Sequence, residues 1–387
     1  MEMEGSLDWT RLPALALTFV SERLADPQDL VRFRAACPEW RQAVPEDAHQ
    51  RFQPWIVESD HHDDSGNVLF YSPVSGDYHL IHVAALEGRR VAGYGAGLLL
   101  GIDTDDELSA VLVNPLTGES TEAPRLPECF HGTLTHGFAT DPGMTGESEV
   151  VVVVYNRPAV GQARGRVALW RRRDAAGWAT VPSETFWMRM PQLRARLLAH
   201  GPQVLEGEEA AIVAVNGHAQ GHVEWLPGMR GAHVIEHGGQ VRVLVRREQP
   251  VAAAAGDAPE GPVSPGDPLP RLSFELRNTL DADGEAIDWA NAPELHGTVI
   301  FQSPGSSCYV LPASDRFAGL SRDCVYFLSW QRQEVVDQDG GVGDGNPFGY
   351  FLCKWDMIGR VATVVEKIPG NWQLLKPGRW FLPTFQY

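Results

Sequence analysis

At 387 residues and 43% hydrophobic side chains, the chain holds enough apolar material for a sizeable core and suits a small domain joined to a large one. Its 50 acidic against 32 basic residues, a formal net charge of −18, argue against nucleic acid as a partner and against an anionic membrane surface. No run nears the ~18 consecutive apolar residues of a membrane span.

The first element predicted is helical. Apolar residues at Leu12, Leu15, Ala16, Phe19, Val20 and Leu24 follow the spacing of one helix face. A break follows: Asp26 fits the N-cap, Pro27 the first helical position, and Asp29 the first turn, where a carboxylate meets the helix dipole. The second helix carries Leu30, Phe33 and Cys37 on one face, and Pro38 starts a third holding Trp40 and Val44. Three short helices in about 35 residues cannot close a core alone. Two readings stay open: the helices pack on the rest of the chain, or they dock in a partner's groove.

Residues 49–64 read as a connector around the apolar Trp55-Ile56-Val57. Beyond it the pattern is short strands and turns: Val68 to Tyr71, Tyr78 to Val83, Gly97 to Leu100, and Ala110 to Val113, which ends in the turn Asn114-Pro115-Leu116-Thr117-Gly118-Glu119. Val150 to Tyr155 is continuously apolar, as in a strand buried on both faces. Further strands are expected at 167–170, 178–181, 211–215, 222–226, 233–237, 241–246, 271–276, 297–302, 308–311, 325–330, 350–355 and 361–367. Strands about ten residues apart, in clusters of roughly 40 to 50, predict four-stranded blades around an axis, six or seven of them, over 65–387. A pair of β-sandwiches is the competing fold. Val251 to Pro270, rich in Ala, Gly, Pro and acids, reads as a disordered insert.

Candidate chemistry is sparse. His61-His62-Asp63-Asp64 cannot all converge from an extended chain. His218, His222 and Glu224, and the pair His233 and His237, have ligand-like spacing but strand-like surroundings. The acidic loops at Asp337 to Gly345 and Asp281 to Glu285 lack the glycine and bidentate Glu of a calcium loop. Gly93-Tyr94-Gly95-Ala96-Gly97 precedes a strand rather than the helix a phosphate cradle needs. The pairs Phe186-Trp187 and Trp380-Phe381 read as core. No catalytic residue, cofactor or metal is expected. Five cysteines lie far apart with no Cys-x-x-Cys pair and read as buried free thiols of a reducing compartment. The opening Met1-Glu2-Met3-Glu4 lacks a leader pattern, so a cytoplasmic or nuclear location is expected.

The order Leu12-Pro13, Val20, Leu24, Asp29-Leu30, Cys37, Trp40-Arg41 resembles the F-box, over residues 8–48. Leu15 stands where that motif usually has Glu, and Ala16 where it prefers Leu. The pieces Val113 to Glu119, His233 to Gly239, Asp323 to Phe327 and Arg379 to Pro383 resemble the plant F-box proteins with a KIB-type β-propeller. These resemblances imply a mainly β protein with a small α domain: a three-helix F-box followed by a propeller. They imply a non-catalytic subunit of a ubiquitin ligase. Leu12, Pro13, Val20, Leu24, Leu30 and Trp40 would contact a Skp-type adaptor and through it a cullin scaffold, while the propeller holds a target protein. The alternatives are a binding propeller without ligase coupling and a propeller enzyme.

Overall fold

The computed structural model describes residues 12–45, 48, 51–57, 65–73, 75–133, 135–139, 150–156, 166–172, 177–181, 229–237, 240–248, 262–278, 286–303, 308–313, 319–332, 348–368 and 378–384. Three α-helices come first: α1 (Ala14–Ser21), α2 (Pro27–Ala36) and α3 (Pro38–Gln42). The start of α2 follows the sequence rule. Asp26 accepts from the Gln28 amide at 2.7 Å, Pro27 holds the first position and Asp29 the first turn. It stops at Cys37, which is extended ahead of Pro38. Arg51 Nη2 donates to Ser21 O, the last carbonyl of α1, and to Leu24 O in the turn after it. Thr18 Oγ1 donates to Ala43 O and ties α1 to the end of α3.

The helices share a small core of Leu17, Leu30, Phe33, Val44, Ala48 and Phe52. Leu116, from the β region, packs against it. A turn of the β region therefore covers part of the helical unit, and on this side the helices pack on the rest of the chain.

The strands follow as antiparallel meanders. The first is β1 (Trp55–Val57), β2 (Ser65–Ser72) and β3 (Asp77–Glu87). The second is β4 (Arg89–Gly95), β5 (Leu98–Asp103), β6 (Ala110–Val113) and β7 (Ser120–Glu122). Next comes β8 (Thr135–Ala139), β9 (Val151–Asn156), β10 (Val167–Arg171) and β11 (Ala179–Val181), then β12 (Met229–His237), β13 (Gln240–Glu248), β14 (Leu272–Arg277) and β15 (Ala286–Ile287). The last strands are β16 (Thr298–Gln302), β17 (Cys308–Pro312), β18 (Cys324–Arg332), β19 (Phe348–Asp356), β20 (Ala362–Lys367) and β21 (Arg379–Phe381). The strands expected at 211–215 and 222–226 lie outside the described residues.

Two parallel joints link meanders that are otherwise antiparallel. β4 runs beside β8, with Gly93 opposite Gly137, and β16 runs beside β18, with Val299 opposite Cys324. The described strands thus make four hydrogen-bonded sheets. The glycine run at 93–97 serves the first joint. A Cβ at Gly93 would collide with the Gly137 carbonyl, so only glycine lets these two backbones come this close.

Two sequence expectations change. Trp55-Ile56-Val57 is not connector. It is a central strand, paired with β2 on one side and β21 on the other, with Trp55 opposite Phe381. Residues 262–270 of the expected disordered insert are ordered. Leu269 N donates to Ala362 O at 2.7 Å, Val364 N to Asp267 O at 2.9 Å, and the Leu269 side chain is buried in the core. Residues 251–261 lie outside the described residues.

The core lies between meanders packed against one another. Trp55, Val57, Val68 and Phe70 pack against Val91, Leu99 and Val111 of the second meander. Leu100, Ala110 and Leu112 pack against Val152, Val154 and Trp170 of the third. Leu244, Phe274 and Leu276 pack on Ile300, Phe327 and Trp355. The opposite face of those last strands, Val299, Phe301 and Tyr326, packs on Ile56, Tyr71 and Trp380 of the first sheet. Alternation along each strand makes this possible: Ile56 faces the last sheet while its neighbours Trp55 and Val57 face the second. The last sheet packs on the first, and β21 is hydrogen-bonded into it, so the arrangement turns back on itself around an axis.

Candidate partner-docking face

α1 is short, and it buries only Leu17 and Ser21 fully. The Ser21 hydroxyl satisfies itself on Thr18 O, so the buried side needs no further polar partner. The apolar stripe seen in the sequence therefore turns away from the core over most of its length. Leu15 is 82% exposed, Phe19 55% and Val20 43%. Pro13 is exposed at the head of the helix. Arg23 lies over the Phe19 ring, 3.3 Å from its centroid, and donates to Phe19 O at 3.0 Å. The result is a strip of three large apolar side chains on a helix anchored from behind by Leu17, Thr18 and Arg51.

The six contact residues implied by the F-box resemblance separate here. Pro13 and Val20 are on the exposed strip. Leu12, Leu24 and Trp40 are half-buried and pack against the helical core, with Trp40 4.5 Å from Phe33 between ring centroids. Leu30 is completely buried in that core, which corrects its placement as a contact residue: it holds α2 to α1 and offers no surface. Leu15 and Phe19, absent from the six, are the most exposed apolar side chains of the helix. Their i, i+4 spacing was the signal for a shared face.

Motif pieces elsewhere prove to be joints. Asn114 Oδ1 accepts from the Leu116 and Thr117 amides, and its Nδ2 donates to Thr384 O. This one turn fixes Leu116 against the helices and holds the chain beyond β21. Asp323, at φ +57°, accepts from Gly297 N. Trp380 Nε1 donates to Gln302 O and its amide to Ser303 Oγ. Trp380 and Phe381 are core, as read.

Among the described residues no group of three or more His, Cys, Asp or Glu side chains is placed to hold a metal ion. His61 to Asp64, Phe186-Trp187, His218, His222, Glu224, Asp281 to Glu285 and Asp337 to Gly345 lie outside the described residues. One half-buried polar pair stands out between the first and last sheets. Tyr71 Oη donates to Glu366 Oε1 at 3.3 Å. Burial raises the tyrosine above its ordinary range, helped by the carboxylate, and burial likewise raises Glu366. Among the described residues no helix is long and apolar enough to cross a membrane.

Antiparallel meanders packed against one another, with the last described strand completing the first sheet, define a β-propeller protein. A model of the KIB1-4 beta-propeller family matches residues 70–351, and the chain belongs to that family. A search of the curated proteins gives no match. Among solved structures, an α-L-arabinofuranosidase from Lactobacillus brevis is 10% identical over 82% of this chain and 73% of its own, with a TM-score of 0.24. The GH43_1 enzyme from Xanthomonas citri complexed with xylotriose is 8% identical over 81% of this chain and 86% of its own, with a TM-score of 0.18.

Proposed function

We propose that this chain is the substrate-recognition subunit of a Skp–cullin–F-box ubiquitin ligase, cytoplasmic or nuclear, and not itself an enzyme. The helices act as the F-box and the propeller holds the target. The observation that carries the reading is the strip Leu15, Phe19 and Val20, exposed on a helix whose other side is fixed to the body. Such a strip fits the groove of a helix-binding adaptor. Its apolar anchors supply affinity, and the packing of Leu116 on the helical core links the adaptor side to the propeller that holds the target. Tethering the target near the charged conjugating enzyme raises its effective concentration there, and this chain needs no covalent step of its own.

Truncating a central anchor costs about 2 kcal/mol or more, roughly 30-fold in affinity. Co-purification of the full chain with a recombinant Skp-type adaptor is the test. Wild type should retain the adaptor, and Leu15→Asp with Phe19→Asp should release it while the sheets stay folded. Equal retention by both proteins counts against this docking face. Failure of the wild type to bind any Skp-type adaptor favours the second reading, a binding propeller without ligase coupling. Leu15 at the motif's usual Glu position favours that one.

A further inference from the structure

The chain is nearly free of side-chain amines. Of its 32 basic residues only three are lysine, Lys354, Lys367 and Lys376, and the first 353 positions hold none. Lysine is ordinarily among the commonest residues of a folded protein. Folding chemistry does not demand the replacement. Arg32 pairs with Asp29 and Arg360 with Asp288 at exposed sites, where an ammonium would serve as well. What separates the two cations is the reaction open to them. A lysine amine can be acylated, and the guanidinium, which keeps its proton, cannot. The structure ranks the amines that remain. Lys354 Nζ donates to Ser321 Oγ at 3.1 Å, and the residue is half-buried. Lys367 is exposed at the end of β20, the outermost strand of the last sheet. Residues 266–269 are bonded along the start of that strand, at Ala362 and Val364. Past Val364, among the described residues, no backbone group is bonded along that outer edge. Lys376 lies outside the described residues.

We propose that Lys367 is the site at which the chain itself receives ubiquitin, and that arginine in place of lysine closes the rest of the described surface to that modification. The proposal rests on the ligase reading: a subunit held beside the charged conjugating enzyme meets the same chemistry as its target. Lys367 Nζ gives up a proton and attacks the carbonyl of the thioester that joins ubiquitin's C-terminus to the conjugating enzyme's cysteine. The isopeptide C–N bond forms, the C–S bond breaks, and the cysteine leaves as a thiol. Nothing is oxidised or reduced. Confining the acceptor to one exposed amine spares the subunit while it presents a target that carries more of them.

The test is a reconstituted reaction of the full chain with a Skp-type adaptor, a cullin scaffold, the charged conjugating enzyme and lysine-free ubiquitin, which cannot be extended. Mass spectrometry of the isopeptide-bearing peptides locates the acceptor. Wild type should gain a single ubiquitin, at Lys367. Lys367→Arg keeps the charge at an exposed site and should cut conjugation of this chain by about ten-fold or more, with the thermal midpoint unchanged. Lys354→Arg and Lys376→Arg should leave conjugation at the wild-type level. A second arm fuses the full chain to the adaptor, so that presentation no longer depends on docking. Modification at Lys367 in the fusion alone contradicts adaptor docking and upholds the acceptor. The proposal is overturned if conjugates within this chain map to any other amine, if Lys367→Arg is conjugated as well as wild type, or if the chain is unmodified in both arms.

Discussion

At the scale of single residues, burial decides reactivity. It pushes the thiol of Cys324 up to about 11 and that of Cys353 up to about 12, while Cys308 is buried and Cys37 and Cys129 are only half-covered. The thiolate is the nucleophile, so native protein at neutral pH should take up iodoacetamide at Cys37 and Cys129 and at none of the other three. Mass spectrometry of native against unfolded protein checks this, and labelling of native Cys324 or Cys353 contradicts it. Glu366 gives a pH prediction. Its carboxyl is raised on folding, so the folded state holds more protons than the unfolded one between the ordinary and the raised value. Stability from this group is therefore highest below the ordinary carboxylate range and falls as pH rises through the raised value. Glu366→Gln keeps an acceptor for Tyr71 and removes the charge. It should be more stable than wild type at neutral pH, with the advantage gone near pH ~4. Denaturant midpoints across that range decide the matter, and a variant destabilised equally at both ends contradicts it.

At the scale of elements, α1 and α2 divide anchoring from display. Leu30→Ala leaves a void in the helical core and should cost about 2–5 kcal/mol of stability. Leu15→Ala touches nothing buried and should change stability by less than about 0.5 kcal/mol while weakening the adaptor. Urea titration of both variants gives the comparison, and similar losses at the two sites contradict the division. Gly93→Ala should disrupt the β4–β8 joint, because the obstacle is backbone and cannot move aside.

These elements also show what the sequence discloses. The cap at Asp26, the stop at Pro38 and the long strands are legible because each rests on local chemistry or on alternation. Which side α1 buries is not. With Leu15, Leu17, Phe19 and Val20 in eight residues, apolar groups lie on both sides, and periodicity alone cannot orient such a helix. Trp55-Ile56-Val57 reads as connector for a related reason. A strand buried on both faces shows no alternation, and its partner β21 is at the far end of the sequence. The Asn114 turn is plain in sequence, yet its tie to Thr384 is not, because that contact exists only once the propeller closes.

At the scale of the whole molecule, closure is the vulnerable point. β21 completes the first sheet, Trp380 packs between the first and last sheets, and Thr384 is held by Asn114. Removing residues 379–387 should therefore expose core on both sheets and abolish the cooperative thermal transition; a truncated chain with the wild-type midpoint contradicts the closure. The helices ride on this closed body through Leu116 and Phe52, leaving the other side of α1 uncovered. The most direct measurement is hydrogen exchange on the full chain with and without a recombinant Skp-type adaptor. Added adaptor should slow exchange across residues 13–23 and leave the sheets as they were. Unchanged exchange in that stretch, or protection confined to the strands, contradicts the account.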